Sequence, residues 1–366
     1  MVTLLISVLI ISAIAAALAL LLVIAEYFFA NYGECTVTIN KEKKIKVEGG
    51  ASLLSTLSSQ KIFIPSACGG KGTCGLCKLK VLDGAGPLLP TEEPFLDKDE
   101  IKANVRMACQ VKVRQDLKIE IPEELFNIKE YNCKCEEIRD LTHDMKLFRF
   151  KLVEPSEVKY IPGQYMQFQA PEYEKSKEEV YRAYSIASDP AKKDIIDFVI
   201  RLVPGGICTT YCFNYLKKGD DAKMNGPYGH FKLTDTDKEM VWIAGGSGIA
   251  PFISILYQMK NTNNQRKATF YFGANQVKEL ALVDEMKQFE KDLPNFKFVP
   301  VISRPEENES WDGEKGLVID AVTRNNKDLS NAEGYLCGSP GLIDASVKTL
   351  TGLGMEEEKI FYDKFA

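Results

Sequence analysis

Pro65-Ser66-Ala67-Cys68-Gly69-Gly70-Lys71-Gly72-Thr73-Cys74-Gly75-Leu76-Cys77 is the stretch on which the reading of this chain turns. A fourth cysteine follows in Arg106-Met107-Ala108-Cys109-Gln110, so the spacing is C-x5-C-x2-C-x31-C. Three thiols on one glycine-rich loop and a fourth from a distant strand suit a single [2Fe–2S] cluster, which is held by four cysteine thiolates. The glycines let the backbone curl tightly and turn its N–H groups toward the sulfurs. Those hydrogen bonds help to set a reduction potential. Cys68, Cys74, Cys77 and Cys109 are therefore the expected metal ligands. A zinc ribbon would want paired C-x2-C knuckles, and only one such pair occurs. A disulfide framework would spread cysteines through a small secreted domain. Here four of ten fall between residues 68 and 109 of a 366-residue chain.

The plant-type pattern has four residues in the first gap where this chain has five. The surroundings still read as a ferredoxin-like module. Thr36–Ile39 and Lys44–Val47 alternate as two short strands, and Ser52–Ser59 is a helix candidate. Cys35, Cys133, Cys135, Cys208, Cys212 and Cys337 stand outside the pattern. Cys133 and Cys135 share one strand face and are expected to be half-buried thiols.

Upstream, no charged side chain occurs from Met1 to Ala25, and Leu4–Ala25 is apolar apart from Ser7 and Ser12. About 20 such residues cross a bilayer core as a helix. Tyr27, Phe28, Phe29 and Tyr32 suit the membrane–water interface. A cleaved signal peptide would want a basic start, and no Lys or Arg precedes Lys41. Lys41, Lys43, Lys44 and Lys46 follow the segment. The positive-inside tendency then places the N-terminus outside and the body in the cytoplasm, on a single-pass anchor of the inner (cytoplasmic) membrane. The net charge of −5 and the lack of a basic aromatic stripe give no sign of a nucleic-acid partner. Only His143 and His230 are present, which argues against a histidine-based triad or metal site.

Downstream of Ile121-Pro122-Glu123-Glu124 the pattern turns to longer strands, Lys129–Asp140 and Lys146–Val153. Tyr181-Arg182-Ala183-Tyr184-Ser185 sets Arg182 and Tyr184 on one strand face, with Ser185 opposite or at the end. An Arg there can neutralise a pyrophosphate, a Tyr can lie against a flavin ring and a Ser can hydrogen-bond it. Gly205-Gly206-Ile207-Cys208-Thr209-Thr210 reads as a helix N-terminus able to receive phosphate. Each motif is weak alone; their order after a ferredoxin segment makes them specific. Met240–Ala244 is a buried parallel strand leading into Gly245-Gly246-Ser247-Gly248-Ile249-Ala250-Pro251 and a helix over Phe252–Met259. Strand, glycine turn and helix form an anion cradle that is not the G-x-G-x-x-G fingerprint. Further strands at Ala268–Phe272, Phe298–Ile302 and Gly334–Leu336 end at small residues, as in a doubly wound sheet. Cys337 at a strand end leaves room for a flat ring.

Together these residues resemble the F subunits of sodium-translocating NADH:quinone reductases. Membrane anchor, C-x5-C-x2-C with a distant Cys, R-x-Y-S, G-G-x-G-x-x-P and C-G-x-P stand in that family's order over nearly the whole chain. The resemblance implies a multidomain α+β chain. Its parts would be a transmembrane anchor (1–29), a β-grasp ferredoxin-type domain (33–126), an antiparallel β-barrel FAD domain (127–234) and a doubly wound α/β nicotinamide domain (235–366). It implies that Arg182, Tyr184, Ser185, Gly206 and Thr209 bind FAD. Gly246, Ser247 and Gly248 would bind NADH phosphates, with Cys337 beside the nicotinamide. Ser185, Cys337 and the C-terminal Phe365 would make up the catalytic set. The segment between Tyr165 and Tyr181 is shorter than the family suggests, and Asp363-Lys364-Phe365-Ala366 lacks the usual acidic pair and final glycines. Ser303-Arg304 could receive a 2′-phosphate, but the resemblance favours NADH.

The implied function is electron transfer from NADH through FAD and [2Fe–2S] to other membrane subunits and finally quinone. Two other readings are the reductase of an oxygenase system and a membrane electron carrier without NADH turnover.

Overall fold

The structure, a computed structural model, describes residues 2–29, 32–306 and 311–365. The chain divides into two units, Met1–Pro65 with Gly70–Asn127 and Ser66–Gly69 with Ile128–Ala366.

The first unit opens with helix α1, Val2–Phe29. Residues Ile6–Ile24 are long and apolar enough to cross a membrane, and none of that window is buried. The side chains of Tyr27, Phe28 and Phe29, the expected interfacial aromatics, lie outside the described ones. Strands β1 (Glu34–Ile39) and β2 (Lys43–Glu48) form an antiparallel hairpin. Helix α2 (Leu53–Ser59) starts at Ser52, whose hydroxyl caps the Ser55 N–H. Strand β3 (Lys78–Asp83), helix α3 (Lys98–Lys102), β4 (Val105–Met107) and β5 (Leu117–Glu120) complete a mixed sheet in the order β2-β1-β5-β3-β4. Leu53 and Leu57 of α2 pack on Val37, Ile39, Leu117 and Ile119. One amphipathic helix thus covers one face of the sheet, the grasp arrangement expected of a ferredoxin-type module.

In the second unit, β6 (Lys129–Asp140), β7 (Met145–Glu154), β8 (Tyr165–Ala170), β9 (Val180–Ser185), β10 (Ile195–Arg201) and β11 (Asp221–Tyr228) pair antiparallel in the order β10-β7-β6-β11-β8-β9. An antiparallel bridge between Ile186 and Phe198 brings the end of β9 back to β10 and closes the barrel. Phe148, Phe150, Phe168 and Phe198 fill its interior, and helix α4 (Ile207–Asn214) plugs it with Cys208 and Cys212. Cys133 and Cys135 are buried in this core rather than half-buried as expected. Burial pushes their thiols up to about 12 and about 11.

The remaining sheet is parallel throughout. It comprises β12 (Glu239–Gly245), β13 (Ala268–Ala274), β14 (Phe296–Ile302), β15 (Glu314–Lys315), β16 (Ala332–Gly338) and β17 (Ile360–Lys364), ordered β15-β14-β13-β12-β16-β17. Side chains alternate across it. Met240, Trp242 and Ala244 face helices α5 (Ala250–Asn261) and α6 (Val283–Asp292). Val241 and Ile243 face α7 (Val318–Asn325) and α8 (Pro340–Gly352). Burial on both faces is why Met240–Ala244 reads as an unbroken apolar run. The order reverses between β12 and β16, and a doubly wound sheet binds ligands at the strand ends beside such a reversal.

Candidate functional site

The cysteine loop is built on glycines with left-handed backbones, at φ +64° for Gly69, +86° for Gly70, +75° for Gly72 and +70° for Gly75. Cys77 and Cys109 are buried and Cys74 is half-exposed, all three in the first unit. Cys68 is also buried, in the short stretch that belongs with the second unit. Among the described residues, no three His, Cys, Asp or Glu side chains converge on one ion-sized point. In the first unit Cys77 and Cys109 are hydrogen-bonded to each other. The Cys77 thiol is pushed up first by its hydrogen bond with Cys109, then by burial, with Cys74 adding a smaller electrostatic effect. Soft thiols held on a loop whose glycines curl the backbone fit an iron–sulfur cluster by their chemistry.

The turn that carries Cys109 is pinned from several sides. Ala108 N–H donates to Cys77 O at 2.8 Å, and Gln110 N–H donates to Met107 O at 2.8 Å. Glu92, fully buried, accepts from Met107 N–H at 2.9 Å and from Arg106 Nε at 3.0 Å. The Arg106 guanidinium also donates to the carbonyls of Gly86 and Pro87, both at 3.0 Å. This clamp was missed by sequence reasoning, since nothing in Thr91-Glu92-Glu93 marks a buried acid.

Arg182, Tyr184 and Ser185 all lie on β9, with Ser185 its last residue. Arg182 is half-exposed, with Nη1 on the Tyr181 carbonyl at 2.7 Å. Its remaining N–H donors suit a pyrophosphate. Tyr184 packs edge-on against Phe168 and donates to Cys208 Sγ at 3.4 Å. Hydrogen bonds from Cys212 and then Tyr184 hold the Cys208 thiol below its usual range, against the opposite effect of burial. Gly206 caps α4 without a side chain. The Thr209 hydroxyl accepts from Val203 N–H and donates to Val203 O, both at 3.2 Å. Thr209 thus locks the turn at the start of α4, and a helix start of this kind can receive an anion.

The strand ends of the parallel sheet open on a cavity of about 270 Å³, lined by Gly245, Gly246, Gly273, Ser303, Ser339 and Arg201 among others. Gly246 and Gly248 sit on a short 3-10 turn after β12, followed by α5 with Pro251 in its first turn. Gly248 lies against β16 so closely that a Cβ would stand 2.4 Å from the Cys337 carbonyl oxygen. Arg201, not singled out from sequence, comes from β10 and ends beside Gly246, where an added Cβ would be 3.2 Å from Nη1. Asp144 accepts from Arg201 Nε at 2.6 Å.

Cys337 is fully buried, among Tyr335, Ala244 and Ile249. Burial and then Asp363 push its thiol well up. Phe365 packs on the same core and donates its N–H to Gly338 O at 2.9 Å. Asp363, opposite Cys337 in the β16–β17 register, accepts from Ser185 Oγ at 3.3 Å. The structure therefore sets the Asp363 carboxylate, which the sequence reading did not weigh, between Ser185 and Cys337, with Phe365 two residues further along the chain.

Three family models match in the same order. They are the 2Fe-2S iron-sulfur cluster binding domain over residues 37–114, the oxidoreductase FAD-binding domain over 132–233 and the oxidoreductase NAD-binding domain over 242–348. Full-length relatives agree. The F subunit of the Na(+)-translocating NADH-quinone reductase of Neisseria gonorrhoeae is 35% identical, covering 95% of this chain and 96% of the relative. This chain belongs to that family. The Klebsiella pneumoniae member is 35% identical over 94% of this chain and 95% of its own. Among solved structures, the Amycolatopsis cytochrome P-450 reductase GcoB superposes with a TM-score of 0.72 at 26% identity, covering 90% of this chain and 98% of that one. The ferredoxin reductase in carbazole 1,9a-dioxygenase gives 0.70 at 23% identity and shares the fold, with 91% and 98% covered. The Na(+)-translocating NADH-quinone reductase family is thus matched over all three cofactor modules, and the chain carries 2Fe-2S, FAD-binding and NAD-binding domains.

Proposed function

We propose that this chain is the electron-input subunit of a sodium-translocating NADH:quinone reductase, passing electrons from NADH through FAD and a [2Fe–2S] cluster to membrane partners and finally quinone. The observation that carries this reading is relatedness to the F subunits of such reductases across 95% of the chain, at 35% identity. The chemistry these groups supply when bound is hydride acceptance at the flavin and one-electron exchange at the cluster.

In this reading Cys68, Cys74, Cys77 and Cys109 ligate the cluster. Arg182 and the α4 turn hold the FAD pyrophosphate, while Tyr184 and Ser185 orient its ring. Gly246, Ser247 and Gly248, with Arg201, receive the NADH phosphates. The Gly248–Cys337 contact brings the phosphate turn onto the strand that carries the ring site. Phe365 covers that site, and the Ser185–Asp363 hydrogen bond holds a proton beside it. The domains run 1–29, 33–126, 127–234 and 235–366. Helix α1 is a single-pass anchor, and Lys41, Lys43, Lys44 and Lys46 beyond it keep the body on the cytoplasmic face.

The test is anaerobic rapid mixing of the purified full chain with NADH. Bleaching of flavin absorbance followed by a reduced-cluster electron paramagnetic resonance (EPR) signal is the expected result. Absence of flavin bleaching would turn the reading toward an electron carrier without NADH turnover.

A further inference from the structure

Gln110 follows the fourth cysteine of the loop, and its side chain turns back onto that cysteine. Gln110 Nε2 donates to Cys109 Sγ across 3.6 Å. Thr91 Oγ1 donates to Gln110 Oε1 at 3.0 Å. These two bonds fix which way the amide points. An ionised thiolate only accepts, so the NH₂ group must face sulfur, and the amide oxygen is left for the hydroxyl. Space for the amide comes from the cysteine loop itself. A Cβ on Gly72 would stand 2.5 Å from Gln110 Nε2, and Gly72 holds φ +75°. The Gln110 backbone is fixed by its bond to Met107 O. The donor is therefore positioned at both ends of the residue.

We propose that Gln110 sets the reduction potential of the cluster by donating to Cys109 Sγ, with Thr91 as its positioning residue and Gly72 as the gap that admits it. This rests on the reading of Cys109 as a cluster ligand. A donor hydrogen bond to a ligand sulfur offsets negative charge and favours the more negative, reduced state. The reduction it biases is a one-electron gain, the electron coming from NADH by way of the flavin. Gln110 keeps its protons throughout.

The test is a mediated redox titration of the full chain with its cluster, followed by EPR. Gln110→Leu removes the donor at similar size. It should keep iron content and lower the reduced-to-oxidised ratio at fixed ambient potential about threefold to tenfold, where tenfold corresponds to ~59 mV for a one-electron couple. Gln110→Glu should shift it further the same way. Thr91→Val should shift it in that direction by less, because Gln110 remains but is no longer held. Gln110→Leu with full iron and an unmoved titration overturns the proposal. If Gln110→Leu fails to retain iron, Thr91→Val decides, and an unmoved ratio there overturns it equally. Cys109→Ser separates the two readings: an unchanged cluster signal in that variant removes the ligand assignment itself.

Discussion

Ser185, at the end of β9, donates its hydroxyl to Asp363 on β17 across 3.3 Å and 178 residues of sequence. Burial pushes the Asp363 carboxyl up to about 6, against the lowering effect of that hydrogen bond. A pH profile of NADH-driven flavin reduction should therefore bend near pH 6. Asp363→Asn should remove the bend. A carboxyl whose folded value lies above its unfolded value of about 3.9 binds its proton more tightly in the fold. Its contribution to stability thus falls as pH rises from about 4 to about 6, then levels off. Thermal unfolding from pH 4 to 7 should show a shallower decline in Asp363→Asn.

Gly248 admits no side chain, because a Cβ there would lie 2.4 Å from a backbone oxygen of β16. Gly248→Ala must push the glycine turn after β12 off that strand. We expect a loss of about 1–3 kcal/mol, as for other overpacked sites, and weaker NADH binding. Thermal unfolding and titration of flavin reduction against NADH measure both.

Arg201 is a cation at the mouth of the strand-end cavity, steadied by Asp144. In the proposed reading, removing it takes away a charge-assisted contact to an NADH phosphate that would be the same in ground and transition states. Arg201→Ala should raise KM for NADH roughly tenfold or more with kcat little changed. Steady-state kinetics with an artificial acceptor separate the two parameters, and Arg201→Lys should recover part of the loss.

The Glu92–Arg106 pair is almost wholly buried, with side-chain exposures of 0% and 8%. Taking away one partner leaves an uncompensated charge, which costs about 3–5 kcal/mol. Glu92→Ala also frees the Met107 N–H two residues before Cys109. We expect it to lose iron and cluster absorbance while keeping FAD. Iron and flavin assays on the same sample would show the two contents parting.

The cysteine spacing was legible because cluster chemistry demands four thiols in a tight loop and a return strand. The parallel sheet was legible because burial on both faces leaves an apolar run with small residues at its end. What stayed hidden depends on partners far apart in sequence. Asp363 gains its meaning only beside Ser185, and Arg201 only once β10 is seen to end at Gly246. Glu92 looks like any surface acid until Arg106 folds over it. Thr209 matched a phosphate turn by type, yet its hydroxyl closes the loop on Val203. The depth of Cys133 and Cys135 escaped the alternation rule, since the strand face they share looks into a closed barrel filled by Phe148, Phe150 and Phe168 from other strands.

Helix α1 ends at Phe29 and β1 begins at Glu34. At no more than ~3.6 Å per residue, the five steps between them reach at most about 18 Å. If α1 lies in a bilayer, covalent geometry alone keeps the start of the iron–sulfur module within that distance of the helix end. Its encounters with an electron acceptor in that membrane would then be set by lateral diffusion and a fixed local concentration. Diluting the protein in the surrounding water would leave that rate unchanged, whereas cutting the chain after α1 would make it fall with dilution.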